Sequence, residues 1–174
     1  DLVRSRGLGD VYKSQAVGIE ADVTSPEQIA AAFEAFGETP DLLVNNAGIV
    51  RFGAMETQSV QDYIDVVKVN LLGSCLCARE IAPAMMERGS GHIINFTSIN
   101  GIHPAPGVGM YGPTKAAMAN MTQAMAMTVA TAGFVCLYTF NISFKIRFPM
   151  IRPFRFPNAA ERPIKRSINT EVRK

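Results

Sequence analysis

Short apolar runs alternate along this chain with longer stretches of helical pattern. One apolar run lies in residues 41–48 (DLLVNNAG) and a second lies in residues 92–98 (HIINFTS). Residues 59–88 between them have a helical pattern with Gly73 as the expected break between two helices, and a further helix is expected over residues 110–130. Helices that connect buried strands favour a parallel sheet. The sequence therefore predicts an α/β fold.

The same alternation extends to both sides of these segments. Residues 16–23 alternate between apolar and polar side chains, which is typical of a strand. Residues 24–27 (TSPE) then predict a capped helix start with proline in the first turn, and this helix is expected to run to about Phe36 and end at Gly37. Residues 134–140 (FVCLYTF) are compatible with another strand.

The composition is that of a globular protein. The chain has 174 residues, of which 48% are apolar, and this is enough for one domain with a core. No apolar run approaches the roughly 20 residues that span a bilayer, and no apolar signal core follows the charged N-terminal residues. We therefore expect a cytoplasmic protein without a membrane partner.

Cysteine and histidine residues give no sign of a metal site. Cys75, Cys77 and Cys136 do not have a metal-ligand spacing, and we interpret them as small core residues. His92 and His103 have no partnering cluster in the sequence. No metal is expected.

The two ends of the chain differ from its middle. Residues 145–174 hold nine Lys or Arg and two Glu, which is a local net charge of +7 and leaves a net charge of −5 for residues 1–144. The same segment contains four prolines, so we do not expect it to continue a regular fold. We interpret residues 134–174 as a divergent basic tail that is not native to the fold. Clustered cations favour phosphate contacts, but a shifted reading frame gives a similar composition, so no nucleic-acid partner is predicted. Residues 1–15 resemble a translated sequencing adapter in part, which predicts a non-native leader.

Tyr111, Lys115 and Ser98 form the pattern with the clearest chemistry. Tyr-x-x-x-Lys on a helix places a phenol and an ammonium one turn apart on one face. A free phenol ionises at a pH of about 10, and a neighbouring ammonium stabilises the phenolate. Ser98 ends a predicted strand, and parallel sheets bind ligands at that edge. An isolated Tyr-x-x-x-Lys would more often be a surface pair, so the strand-end serine is what favours proton transfer to or from an alcohol.

Three asparagines add to this pattern. Asn45 and Asn46 precede Ala47 and Gly48 at a strand end, where small residues and amides suit close approach to a flat ligand, although Asn also occurs in ordinary turns. Asn70 interrupts an otherwise apolar helix, which is locally unfavourable. It is either a satisfied buried amide or the site of a backbone distortion that relays protons through water.

In order and spacing, these residues resemble the short-chain dehydrogenase/reductase family. The resemblance covers about residues 16–133 and rests on the strand-end Asn-Asn-Ala-Gly, the helical Asn70, Ser98 and the Tyr-x-x-x-Lys at residues 111–115. It implies a Rossmann-type doubly wound parallel sheet, here incomplete. It also implies an NAD(P)-dependent oxidoreductase, with NAD or NADP as cofactor, that interconverts a secondary alcohol and a ketone.

The resemblance assigns roles residue by residue. Tyr111 would be the general acid/base, Ser98 would hold the substrate oxygen, and Lys115 would bind the nicotinamide ribose and stabilise the tyrosinate. Asn70 would complete a proton relay. The expected cofactor-binding residues are Asp22 and Val23 at the adenine ring, Asn45, Ala47 and Gly48 along the ribose side, and Tyr111 and Lys115.

Two family features have no counterpart at the expected places. The glycine-rich turn that holds the pyrophosphate is missing before Asp22, and residues 107–112 (GVGMYG) fit its pattern but follow a proline-rich loop instead of a strand. No Pro-Gly follows residues 134–140, so the C-terminal lid is not recognisable either. We therefore expect a partial chain.

These departures leave alternatives open. The substrate could be that of a 3-oxoacyl-carrier-protein reductase or of a sugar or polyol dehydrogenase, because the lid would discriminate them. The chain as written could also be a catalytically inactive fragment that does not bind its cofactor. Family resemblance implies a homo-oligomer for the intact enzyme and a small-molecule alcohol or ketone as its partner.

Overall fold

The computed structural model describes residues 18–129, 135–139 and 167–170. Within these residues, four α-helices, a π-helical turn, a 3₁₀ turn and four strands are arranged as expected for an α/β protein. In chain order they are α1 (Pro26–Phe36), β1 (Leu42–Asn45), α2 (Val60–Val67), a π-helical turn (Lys68–Leu72), α3 (Gly73–Arg88), β2 (His92–Phe96), a 3₁₀ turn (Ile99–Gly101), α4 (Tyr111–Val129), β3 (Val135–Thr139) and β4 (Ser167–Thr170).

The four strands form one parallel sheet in the order β3-β2-β1-β4. Leu43 of β1 lies opposite Ile93 of β2, and Ile93 lies opposite Cys136 of β3. The strands predicted within residues 41–48, 92–98 and 134–140 are therefore present. Because the strands are parallel, the carboxyl ends of β1 and β2 lie at the same edge of the sheet.

Helix α1 begins and ends where its sequence signals lie. The Ser25 side chain accepts a hydrogen bond from the Gln28 backbone N–H, and Pro26 occupies the first turn, where no N–H is needed. Gly37 ends the helix in the left-handed conformation with φ 82°. The predicted helix from residue 26 to Phe36 is confirmed.

The strand predicted for residues 16–23 is wrong in its described part. Residues 18–22 have no regular secondary structure and residues 23–24 form a turn, while residues 16–17 lie outside the described residues. Alternation of side chains permits a strand, but hydrogen bonds to a neighbouring strand are needed to hold one. Strand β1 pairs with β2 on one side and with β4 on the other, so residues 18–22 do not pair with it.

Strand β4 also differs from what the composition of the basic end predicts. Ser167 lies opposite Leu42 and Thr170 lies opposite Asn45 in a parallel ladder. A strand edge with unpaired backbone groups accepts another strand, and this pairing satisfies β1 on its second side. The four prolines of the basic end, like residues 1–15, lie outside the described residues.

Gly73 does not break the helix between residues 60 and 88. Its backbone is helical (φ −55°, ψ −45°), and the helical backbone continues through the π-helical turn. A Cβ added at Gly73 would lie 2.9 Å from Cγ2 of Val23. The glycine therefore permits close packing, and the irregularity lies one turn earlier, around Asn70.

The core lies between the sheet and the helices. Leu43, Ile93 and Cys136 of the strands pack with Ile29 of α1 and Met85 of α3. Burial raises the pKa of the Cys136 thiol to about 12. Among the predicted core cysteines, Cys77 and Cys136 are buried and Cys75 is half-buried.

Within the described residues, no helix combines the length and the hydropathy needed to cross a bilayer. In the same residues, no group of three or more His, Cys, Asp or Glu side chains is arranged to hold a metal ion.

Candidate active site

A cleft of about 370 Å³ lies at the carboxyl edge of the sheet, beyond the ends of β1 and β2. Parallel sheets bind ligands at this edge. Four of the predicted site residues, Gly48, Ser98, Tyr111 and Lys115, line the cleft together. The other lining residues are Asn46, Ile49, Val50, Phe52, Phe96, Thr97, Asn100 and Val108.

Two glycines let the segment that carries Ser98 approach the helix that carries Tyr111. Ser98 precedes the 3₁₀ turn, and its Oγ accepts a hydrogen bond from the Asn100 N–H at 3.2 Å. A Cβ at Gly112 would lie 2.8 Å from the Asn100 carbonyl oxygen, and a Cβ at Gly101 would lie 2.8 Å from a backbone nitrogen of α4. Side chains at these two positions would push the turn away from α4.

Lys115 is a buried cation at the base of the cleft. Its residue is 4% exposed, and its Nζ donates a hydrogen bond to the Phe96 carbonyl oxygen at 2.8 Å. Nζ lies 5.8 Å from the centre of the Tyr111 ring. Burial lowers the pKa of Lys115 from 10.5 to about 8. The side chain is therefore still mainly protonated at pH 7, and its charge acts on Tyr111 through a poorly hydrated environment.

Gly48 keeps the Lys115 ammonium open to the cleft. A Cβ at Gly48 would lie 3.5 Å from Nζ of Lys115 and 3.5 Å from Oδ1 of Asn70. Gly48 itself is exposed. A side chain at this position would be in van der Waals contact with the ammonium, and the glycine leaves that space unfilled.

Asn70 lies in the π-helical turn and is fully buried. Its Oδ1 accepts from the Ile49 N–H at 2.7 Å, and its Nδ2 donates to the Ile49 carbonyl at 2.9 Å and to Thr114 Oγ1 at 3.3 Å. Thr114 Oγ1 in turn donates to the Tyr111 carbonyl at 2.7 Å. Both interpretations of Asn70 hold in part, because its amide is satisfied and its backbone is distorted. The proton relay through it stays a prediction.

A second buried network holds the strand ends behind the cleft. Asn45 Nδ2 donates to Asn95 Oδ1 at 2.8 Å and to the Ser74 carbonyl at 3.3 Å, and Asn95 Nδ2 donates to Thr122 Oγ1 at 2.9 Å. Sequence reasoning missed Asn95, Thr122 and Thr114. For Asn95 a signal was present, because it is a polar residue in a buried apolar run, as Asn70 is in its helix.

The remaining predicted cofactor residues do not line the cleft. Asn45 and Ala47 are buried, 1% and 3% exposed respectively. Asp22 is exposed, and Val23 is half-buried. The roles predicted for these four residues stay predictions.

The arrangement matches a known family. A family model described as short chain dehydrogenase matches residues 6–141. The chain belongs to this family. The short-chain dehydrogenase match covers more than half of the chain, and the family predicted from the residue pattern is confirmed.

Curated relatives and solved structures agree with this assignment. A 3-oxoacyl-[acyl-carrier-protein] reductase from Synechocystis sp. is 32% identical over 123 residues, which are 68% of this chain and 49% of the relative. The chain spans about half the length of the curated relatives it matches.

Two solved structures carry a nicotinamide cofactor. A 3-oxoacyl-[acyl-carrier protein] reductase with bound NAD from Brucella melitensis has a TM-score of 0.70 at 29% identity, covering 72% of this chain and 50% of its own. A gluconate 5-dehydrogenase from Burkholderia cenocepacia in complex with NADP and tartrate has a TM-score of 0.64 at 34% identity. The match covers 67% of this chain and 47% of the dehydrogenase chain. The predicted Rossmann-type α/β fold is confirmed.

Proposed function

We propose that this chain carries the catalytic cleft of an NAD- or NADP-dependent oxidoreductase that interconverts a secondary alcohol and a ketone. One observation carries the proposal: Ser98, Tyr111 and a buried Lys115 line one cleft at the carboxyl edge of a parallel sheet. A hydroxyl, a phenol and a confined cation are the groups needed to hold an alcohol oxygen and exchange its proton.

The proposal places a nicotinamide ribose beside Lys115 and Gly48. The Lys115 ammonium donates to the Phe96 carbonyl and to Met118 Sδ, which leaves one of its three N–H groups for a ribose hydroxyl in the space over Gly48. Related structures contain NAD in one case and NADP in another, so both cofactors remain in the proposal. When bound, the nicotinamide supplies or accepts a hydride. We also keep Asp22, Val23, Asn45 and Ala47 in the cofactor roles that the family resemblance implies.

The chain's own residues would handle the proton. Ser98 would donate a hydrogen bond to the substrate oxygen and orient it, while Tyr111 would give its hydroxyl proton during ketone reduction and accept one during alcohol oxidation. The Lys115 ammonium, 5.8 Å from the ring centre, would stabilise the phenolate between these events. Asn70 would support the geometry by holding Ile49 at the cleft and Thr114 beneath Tyr111.

The relatives leave two substrate classes open. Relatives include 3-oxoacyl-carrier-protein reductases and a gluconate 5-dehydrogenase, so an acyl ketone and a polyol both fall within the proposal. A homo-oligomeric state and a cytoplasmic location stay predictions.

The decisive experiment removes one hydroxyl. Tyr111→Phe should lower NAD(P)H-dependent ketone reduction by about 10² to 10⁴, the usual contribution of general acid/base catalysis. Tyr63→Phe is the matched control, because Tyr63 lies on α2 and does not line the cleft. A Tyr111→Phe rate close to that of the wild type would overturn the proposal, as would the absence of reduction with both cofactors across a panel of ketones.

A further inference from the structure

The lining of the cleft combines polar residues with an apolar set, which forms its apolar wall. The wall consists of Ile49, Val50, Phe52, Phe96 and Val108, and the polar lining residues are Asn46, Thr97, Ser98, Asn100, Tyr111 and Lys115. Among the described residues that line the cleft, Lys115 is the one charged side chain. Among these residues, no second cation is therefore present to pair with a substrate carboxylate.

Phe52 is the most exposed part of this wall. Its residue is 81% exposed although it lines the cleft. An exposed phenyl ring is unfavourable in water and gains free energy when an apolar group covers it. The ring is placed to be covered by whatever enters the cleft, which makes it a candidate contact for the substituent beside the reacting carbon.

The charged residue next to Phe52 forms ion pairs with α2. Arg51 precedes Phe52, but its guanidinium pairs with Asp62 at 3.4 Å and with Asp65 at 3.8 Å on α2. Arg51 does not line the cleft. The cation in this segment is thus engaged with α2, and the side chain presented to the cleft is the apolar one.

The two loops that carry Phe52 and Val108 are fastened to each other. The Gly53 N–H donates to the Gly107 carbonyl at 3.0 Å, and Gly53 and Val108 form a parallel bridge. Gln58 Nε2 also donates to the backbone carbonyl that precedes Phe52 at 2.6 Å. The backbone of the wall is therefore held before a ligand arrives, which reduces the entropy lost on binding.

Gln58 fills the space behind this wall. A Cβ at Gly53 would lie 3.2 Å from Gln58 Cγ, and a Cβ at Gly109 would overlap the Gln58 side-chain amide. Gly109 also has a positive φ of 46°. The glycines allow Gln58 to pack between the two loops, so the wall is a built feature of the fold.

From these observations we infer that the substrate carries an aryl or bulky alkyl group next to its carbonyl or carbinol carbon, and that Phe52 selects for this group. The inference rests on the oxidoreductase activity proposed above and names its substrate class. It favours an apolar ketone over a polyhydroxylated one.

Two small ketones test the inference. Acetophenone presents a phenyl group beside the carbonyl, and erythrulose presents hydroxyl groups. We expect kcat/KM for acetophenone to exceed that for erythrulose by at least about tenfold, as an apolar pocket discriminates by roughly this much. Phe52→Ala should reduce that ratio about tenfold, mainly through KM for acetophenone, and Phe52→Leu should restore part of it.

The controls separate this inference from the proposed function. Met127→Ala removes a side chain that is 77% exposed and away from the cleft, and it should leave the ratio unchanged. If Tyr111→Phe abolishes reduction of both ketones while Phe52→Ala leaves their ratio unchanged, the inference fails and the proposed function stands. A higher kcat/KM for erythrulose than for acetophenone would also contradict the inference and leave the proposed function standing.

A binding measurement completes the test without turnover. Saturation-transfer NMR should detect acetophenone on the 174-residue chain and a weaker signal on Phe52→Ala. If Tyr111→Phe does not affect reduction, the proposed function fails, and acetophenone binding that depends on Phe52 still supports the apolar selectivity of the cleft. If acetophenone binds equally to the wild type and to Phe52→Ala, the inference that Phe52 selects the substrate is overturned.

Discussion

Replacing Lys115 by methionine should change how the free energy of unfolding depends on pH. The lysine is 4% exposed, and burial lowers the pKa of its ammonium from 10.5 to about 8. Hydrogen bonds to the Phe96 carbonyl at 2.8 Å and to the Met118 Sδ at 3.6 Å replace only part of the lost hydration. Methionine has a similar length and no charge, so the variant removes the titrating group while largely filling its space.

The sign follows from which state holds the proton. Between pH 8 and 10.5 the unfolded chain keeps the Lys115 proton and the folded chain releases it, so this residue makes stability rise with pH. The full shift corresponds to about 3 kcal/mol, of which about 2.5 kcal/mol is recovered between pH 7 and pH 10. The raised pKa values of Cys77 and Cys136, about 11 and about 12, make stability fall above pH 9 in both proteins.

Urea unfolding followed by circular dichroism measures this difference. At pH 7 and pH 10, the stability of the wild type minus that of Lys115→Met should increase by about 2.5 kcal/mol, and the cysteine contribution cancels. Lys68→Met controls for the same chemical change on an exposed side chain. A difference that stays constant within about 0.5 kcal/mol would refute the reasoning that burial destabilises the ammonium.

Further predictions concern the buried network and the close contacts of α4. Thr122→Val should lower the free energy of unfolding by about 1 to 3 kcal/mol, because Asn95 Nδ2 loses its acceptor. Thr128→Val should cost much less, since this exposed hydroxyl bonds only the carbonyl one turn back, and equal losses in urea unfolding would contradict the role of burial. Gly112→Ala should lower both stability and ketone reduction because its Cβ would lie 2.8 Å from a carbonyl of the 3₁₀ turn, whereas Gly18→Ala meets open space. Unchanged thermal unfolding of the Gly112 variant would show that the turn yields easily.

Much of the fold was predictable because its signals are local. Helix α1 was predicted to its ends from a serine cap, a proline and a terminal glycine, all within a dozen residues. Residues 18–22 show where such reasoning fails, because their alternation is compatible with a strand and no strand forms. A strand depends on a partner that is distant in sequence, and no local pattern states which segment that partner will be.

In the candidate site, too, local patterns predicted some residues, and contacts between distant residues account for those that were missed. The pattern of Ser98 and Tyr-x-x-x-Lys was enough to predict which side chains would meet, because strand ends and helix faces follow from periodicity. Asn95 and Thr122 were missed, since their importance comes from a hydrogen bond across 27 positions of chain. The apolar wall was also not visible in sequence, because Phe52 and Val108 become neighbours only through the bridge between their loops.

The family, most of the succession of strands and helices, and the residues proposed for proton transfer can all be recognised in the sequence alone. These depend on the identity and spacing of nearby residues, which are read directly from the chain. By contrast, the three-dimensional arrangement was needed to show that Lys115 is desolvated, that Ser167–Thr170 pairs with β1, and that Gly73 packs on Val23 without breaking its helix. Burial and pairing depend on groups brought together from distant parts of the chain, and their energies exist only once those groups exclude water and satisfy one another.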